Sequence, residues 1–382
     1  MNIPGSSSDD WPEPHSNPSP GRVEDDDDVG DARPFDPRKV KIETKPMTLA
    51  PLIQRMREGR INLAPEFQRQ EVWKLTAKSR LIESLLIRIP LPAFYMDASD
   101  ENSWVVVDGL QRLCTLRDFV VPHDEGRRLI LQDLEYLKDL EGKSFHDLHR
   151  PLQRRIEETE IIVFLIEKGT PCDLKFNLFK RINTGGLPLS SQEIRHALHQ
   201  GPATRFLKEL ARTDEFLRAT GGDVADDRMQ AREYILHALA FLLTPYTAYA
   251  GDFNAFLGET MVRMNNMSDQ ELASLRNRFM RAMVHAEKIF GEQAFRKPTK
   301  PGDRVLPISR ALFEVWSVGL DSLSDDELAS LVARKDVVVN LFAESMHAHV
   351  CVHDFSNSAS HSERVKRRFQ DVEKMIRRVL SA

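Results

Sequence analysis

The chain has 382 residues, with 53 Lys and Arg against 58 Asp and Glu, a net charge of −5, and 41% hydrophobic residues. That is length for one large domain or two with a real core, and no run approaches the roughly eighteen apolar residues a membrane span needs. Cys114, Cys172 and Cys351 stand far apart, which excludes a disulfide framework and a CxxC pair and points to a reducing, cytoplasmic setting.

The charge is unevenly spread. Residues 1–36 hold ten acids and two bases, EDDDD at 24–28 among them, amid Pro, Ser and Gly. Such a stretch cannot bury enough apolar surface to offset its ordering entropy, so 1–39 reads as a disordered acidic tail. It lacks the basic end and apolar centre of a signal peptide. The rest of the chain is left at about +3, which permits nucleic-acid contact without demanding it.

From residue 40 the pattern is globular. MTLAPLIQRMREGRINL predicts a short helix and a turn at Glu58-Gly59. PEFQRQEVW (65–73) follows, then a helix with Thr76 as N-cap and a buried stripe of Leu81, Ile82, Leu85 and Leu86. Pro90 and Pro92 end it. LPAFYM and WVVVD (104–108) read as strands. Leu110, Leu113, Leu116 and Val120 recur at helical spacing, so Asp108-Gly109 sits at a strand-to-helix corner. After the polar DLHRPLQRRIEE segment comes a strand, TEIIVFLIE (159–167), and then a helix, FNLFKRINTGG (176–186), ended by its glycines. Ser190 and Glu193 form a capping box for a helix with Ile194 and Leu198 on its apolar side.

Beyond 200 the chain turns helical: REYILHALAFLL, DFNAFLGETMVRM, LRNRFMRAMVHAEKIF and SRALFEVWSVGL. The last helix (363–380) puts Val365, Phe369, Val372, Ile376 and Val379 on one side and seven basic residues over the remainder, a solvated face with nucleic-acid contact as the alternative. The organisation expected is an α/β domain at 40–200 and a mainly helical domain at 201–382, with helices free to pack against the sheet.

Three polar groups suggest chemistry. Gln68-Arg69 and Gln111-Arg112 each set a guanidinium fork, matched to phosphate oxygens, beside a neutral amide. The helix near Leu110 adds free N–H groups, and Gly109 lets a ligand approach the backbone. Asp108 would repel a bare phosphate; it makes sense holding Mg²⁺, polarising water or orienting an arginine, with helix capping or a pair to Arg112 as the plainer reading. Lys180 and Asn183 share one helix face, where Asn183 serves a ligand or caps the helix with Thr184. His347, His349, Cys351 and His353 would share one face of a strand, but with spacing unlike a zinc finger; ordinary side chains are the simpler reading. There is no GxSxG, HExxH or GxxxxGK[ST], so any nucleotide chemistry is not of the P-loop kind.

Taken in order, FQRQEVW (67–73), VDGLQRLCTL (107–116) and FKRINTGGLPLSSQEIR (179–195) resemble the bacterial family of domain of unknown function 262, the type found at the N-terminus of GmrSD modification-dependent restriction enzymes. The resemblance covers residues 45–200 firmly and the remainder loosely. It implies a ParB/sulfiredoxin-like α/β fold and nucleoside triphosphate binding and hydrolysis in anti-phage restriction. DNA cleavage through the same domain, and a non-catalytic nucleotide- or DNA-sensing module, are the alternatives. By residue it implies Gln68, Arg69, Asp108, Gly109, Gln111, Arg112 and Asn183 at the site; Lys180 joins them only through the helix face it shares with Asn183. Leu110 departs from the family's DGQQR. The HNH nuclease domain that accompanies such enzymes finds no convincing counterpart, so the protein is expected either to work alone through its first domain or to supply nucleotide control to a partner nuclease or defence protein, with an oligomer compatible with both. Arg69, Asp108, Arg112 and Asn183 are expected to converge in one cleft, with Arg112 at its mouth.

Overall fold

The computed structural model describes residues 40–63, 73–100, 102–121, 128–182, 189–298, 305–347 and 361–381. The N-terminal part is a mixed five-stranded sheet flanked by helices. Its elements are β1 (Ile42–Thr48), α1 (Leu49–Arg57), β2 (Ile61–Asn62), α2 (Leu75–Leu86), β3 (Phe94–Asp97), β4 (Trp104–Asp108), α3 (Leu110–Val120), α4 (Arg150–Glu157), β5 (Glu160–Ile166), α5 (Cys172–Ile182) and α6 (Ser191–Leu198). The strands run in the order β1-β5-β3-β4-β2. β5 pairs parallel with β3, and β3 antiparallel with β4, with Tyr95 opposite Asp108 and Asp97 opposite Val105.

Helices cover both faces. Val106 joins a core built with α1 to α4, whereas Val107 joins Phe176, Phe179 and Ile194 of α5 and α6 on the other side. Burial from both sides explains why WVVV is an unbroken apolar run rather than an alternation. In α1, Leu49, Leu52, Ile53 and Met56 are buried at helical spacing against that first core.

Two expected boundaries move. The segment read as one helix from Met47 opens instead with β1, an edge strand paired to β5 and carrying Pro46 opposite Ile162. Most of β1 is exposed, so it shows no apolar alternation to read, and an edge tolerates proline. α2 starts at Leu75 with Lys74 at the cap position; Thr76 lies in the first turn and its hydroxyl donates to Asp133 at 2.8 Å.

The remaining chain is mainly helical: α7 (Pro202–Leu210), α8 (Asp214–Thr220), α9 (Gln230–Leu243), α10 (Phe253–Asn265), α11 (Asp269–Phe290), α12 (Arg310–Asp321), α13 (Asp325–Ala333), α14 (Lys335–His347) and α15 (His361–Ser381). Ala231 through Leu242 of α9 are all buried, so this helix is the axis the others pack around. The five apolar residues foreseen on the last helix are its buried face. His347 ends α14 rather than opening a strand, and His349, Cys351 and His353 lie outside the described residues. Among the described residues no helix is long and apolar enough to cross a membrane.

Candidate functional site

The strand-to-helix corner is where the sequence puts it. β4 ends on Asp108, Gly109 turns at φ 95°, and α3 begins at Leu110 with no side chain capping it. Glycine is required twice over at this point. The left-handed φ favours it, and a Cβ would lie 2.5 Å from the Phe94 ring and 3.1 Å from Arg112 Nη2. The neighbour that excludes a side chain is thus the protein's own phenylalanine.

Arg112 turns inward. It is 9% exposed, and it donates from Nη1 to the Pro92 carbonyl and from Nη2 to the Ala93 carbonyl at 3.1 Å and Asp108 Oδ2 at 3.0 Å. Its guanidinium lies 4.5 Å from the centre of the Phe94 ring. Burial pulls its pKa below the ordinary value, and the Asp108 carboxylate offsets part of that. Arg112→Ala is therefore expected to cost about 3 kcal/mol of stability, because two carbonyls and a carboxylate lose their donor. The sequence alone predicts an intact fold for this variant; a denaturant midpoint equal to wild type would restore that view.

Gln111 is the residue of the motif with unspent capacity. Its amide oxygen is buried and has no hydrogen-bond partner in the structure. Asp108 keeps a side chain 30% exposed, with Oδ2 on Arg112. Lys180 is exposed near the end of α5. The register shows how α5 reaches this end of the sheet. Lys175, in its first half, donates to Asp97 Oδ2 at 2.8 Å, at the finish of β3. Phe179 then packs with Val107. Because β3 and β4 are antiparallel, the path from Asp97 to Asp108 follows α5 towards Lys180. Gln68, Arg69 and Asn183 lie outside the described residues.

Residues 49–200, from the first turn of α1 to just past α6, match the family described as GmrSD restriction endonuclease, N-terminal domain. The chain carries a GmrSD N-terminal domain there. No curated protein and no solved structure matches the chain. The match leaves out β1, the strand that completes the sheet of this GmrSD domain.

Sequence reasoning missed two buried polar groups that shape the GmrSD domain. One is the Lys175–Asp97 pair, whose lysine also donates to Ser99. The other is centred on Arg195 in α6, which donates to Gln192, to Glu233 of α9 and to Asn254 of α10. His199 is buried beside Arg195 and Lys175, which holds its pKa at about 4 and keeps it neutral near pH 7. The LSSQEIR stretch carried a signal for this: a polar Gln192 and Arg195 bracket Ile194 on a helix whose apolar side is too narrow to bury alone.

Proposed function

We propose that the GmrSD domain binds a nucleoside triphosphate at the Gly109 corner and hydrolyses it in service of DNA restriction and anti-phage defence. The observation that carries this reading is the uncapped N-terminus of α3 beside the buried, unpartnered amide oxygen of Gln111. The first-turn N–H groups and the positive end of the helix suit phosphate oxygens. The Gln111 oxygen suits a donor on the same ligand. Lys180, with Gln68, Arg69 and Asn183 from the segments outside the described residues, supplies the surrounding charge and hydrogen bonds. Arg112 acts from behind, its charge fixing Asp108 rather than gripping phosphate.

Among the described residues no three carboxylates, histidines or cysteines gather into a metal cage. A single carboxylate at a phosphate site instead fits Mg²⁺ brought in with the triphosphate, where protein ligands are few and phosphates and water complete the shell. Asp108 would hold it, and the ion would neutralise charge on the phosphates. Asp108 otherwise orients the attacking water.

Titration calorimetry of the full chain with ATP, GTP, CTP and UTP, with and without Mg²⁺, tests binding; no heat from any of the four would sink the reading. Asp108→Asn is expected to keep metal-free binding while turnover falls by about 100-fold or more. Turnover unchanged in that variant would place the chemistry elsewhere. Cleavage of plain and modified DNA with Mg²⁺, by a protein that hydrolyses no nucleotide, would favour the nuclease alternative.

A further inference from the structure

The sheet face that carries Asp108 is only partly roofed. In the pairing register Asp108 of β4 stands beside Tyr95 of β3, Tyr95 beside Phe164 of β5, and Phe164 beside Thr44 of β1. Direct partners on paired strands share a face, so these four form one row across the sheet. Two residues further along β5, on the same face, Ile166 is covered by Phe176 and Phe179 of α5, with Tyr95 at the margin of that cluster. Phe164 joins neither of the cores that enclose the sheet and is half-buried. Towards the edge the face is open: Thr44 is exposed, Ile162 is 47% exposed and Ile42 38%.

The two rings at the centre of the row lie face to face. Their centroids are 4.7 Å apart and their planes differ by 20°. The next position in the row after Phe164 is Thr44, small and exposed, so no bulky side chain stands directly opposite the outer face of the phenylalanine. A parallel pair with a free outer face continues as a stack when a third flat ring is laid against it. β1, which leaves this side open, lies outside the residues 49–200 matched by the family.

We infer that Tyr95 and Phe164 are the stacking platform for the base of the nucleotide, which lies against Phe164 above Thr44. The inference rests on the reading of the Gly109 corner as the phosphate site and adds where the other end of the ligand goes. Two strand spacings separate Phe164 from Asp108, about 10 Å in all. A ribose and its first phosphate bridge such a gap, with the terminal phosphates at the corner. On the other side of the ring pair the Asp108 carboxylate stands one strand from Tyr95, which leaves that side to the phosphates and their ion. Stacking against an aromatic side chain grips a base by its face, and every base has one. Phe164 and Tyr95 therefore set the affinity for the nucleoside part, separately from the groups that hold phosphate.

The test is calorimetry of the full chain with ATP and, as a probe without a base, inorganic tripolyphosphate, each with Mg²⁺. Phe164→Leu keeps apolar bulk at a position outside both cores but removes the ring face. It is expected to weaken ATP binding roughly tenfold while tripolyphosphate binds as to wild type. Phe164→Trp is expected to restore ATP binding. Etheno-ATP, whose base is fluorescent, gives a readout on the unaltered protein: its emission is expected to be quenched by stacking on wild type and not on Phe164→Leu. ATP affinity unchanged in Phe164→Leu, or no quenching with wild type, would overturn the platform and leave the phosphate site standing. An equal loss for tripolyphosphate would overturn it too, since the ring would then be supporting the corner rather than a base. If neither ligand binds wild type, the phosphate site falls and the platform with it. A wild-type dimer in light scattering that Phe164→Leu dissociates would assign this face to a second copy of the chain instead.

Discussion

Arg195→Ala is expected to lower the unfolding free energy by roughly 3–5 kcal/mol, the largest effect of any single charge removal described above. Arg195 is fully buried. Its Nη1 donates to Gln192 at 3.1 Å and to Glu233 at 3.0 Å, and its Nη2 to Asn254 at 2.9 Å. Alanine leaves the Glu233 carboxylate facing Arg310 at 3.9 Å, with its closest hydrogen bond gone. Burial pushes the Glu233 pKa up, but the Arg310 and Arg195 cations outweigh it and hold the carboxyl below its ordinary value of 4.5. A depressed carboxyl contributes stability that is present above the unfolded value and is lost as pH falls through the folded one. Arg195→Ala should therefore lose stability near pH 7 and narrow its difference from wild type in acid. Lysine is not expected to rescue the fold, because one ammonium cannot reach three acceptors set for a planar fork. Urea denaturation followed by tryptophan fluorescence at pH 7 and pH 4 checks both points; a loss below about 1 kcal/mol at pH 7 would show that the network is dispensable.

Phe179→Ala is expected to cost a similar 3–5 kcal/mol for a different reason. The ring is fully buried and packs with Val107, Ile166, Phe176 and Ile194. That cluster ties α5 and α6 to β4 and β5. Removing the ring opens a cavity between α5 and the sheet, and α5 also positions Lys180. Its exposed neighbour gives the control: Lys180→Ala should stay within about 0.5 kcal/mol of wild type while weakening triphosphate binding. Thermal melts of both variants read the contrast. A Phe179→Ala protein as stable as Lys180→Ala would mean that this layer does not anchor α5.

The corner at Asp108-Gly109 was legible because three local signals coincide there: a β-branched run, a glycine, and leucines at helical spacing. The Ser190–Glu193 box was legible for the same reason, and the Glu193 N–H does donate to the Ser190 hydroxyl at 3.1 Å. β1 was not, because an exposed edge strand has no buried face to impose a period on its residues. The Tyr95–Phe164 platform was also hidden, since its two rings come from strands far apart in the chain and meet only in the sheet.

Local pattern by itself thus determined the element types, the glycine turn, the helical second half and the ordered motifs that place residues 49–200 in their family. Direction was settled only in three dimensions. A guanidinium fork fits a phosphate and a pair of backbone carbonyls equally well, so the letters QR could not say which Arg112 would meet. Packing answered it: Phe94 closes over Gly109 and Arg112 together, the Pro92 and Ala93 carbonyls come within reach, and the arginine becomes part of the wall behind Asp108. The same holds for Arg195, whose polar partners on α9 and α10 lie 38 and 59 residues away and meet it only after the helical region has folded against the sheet.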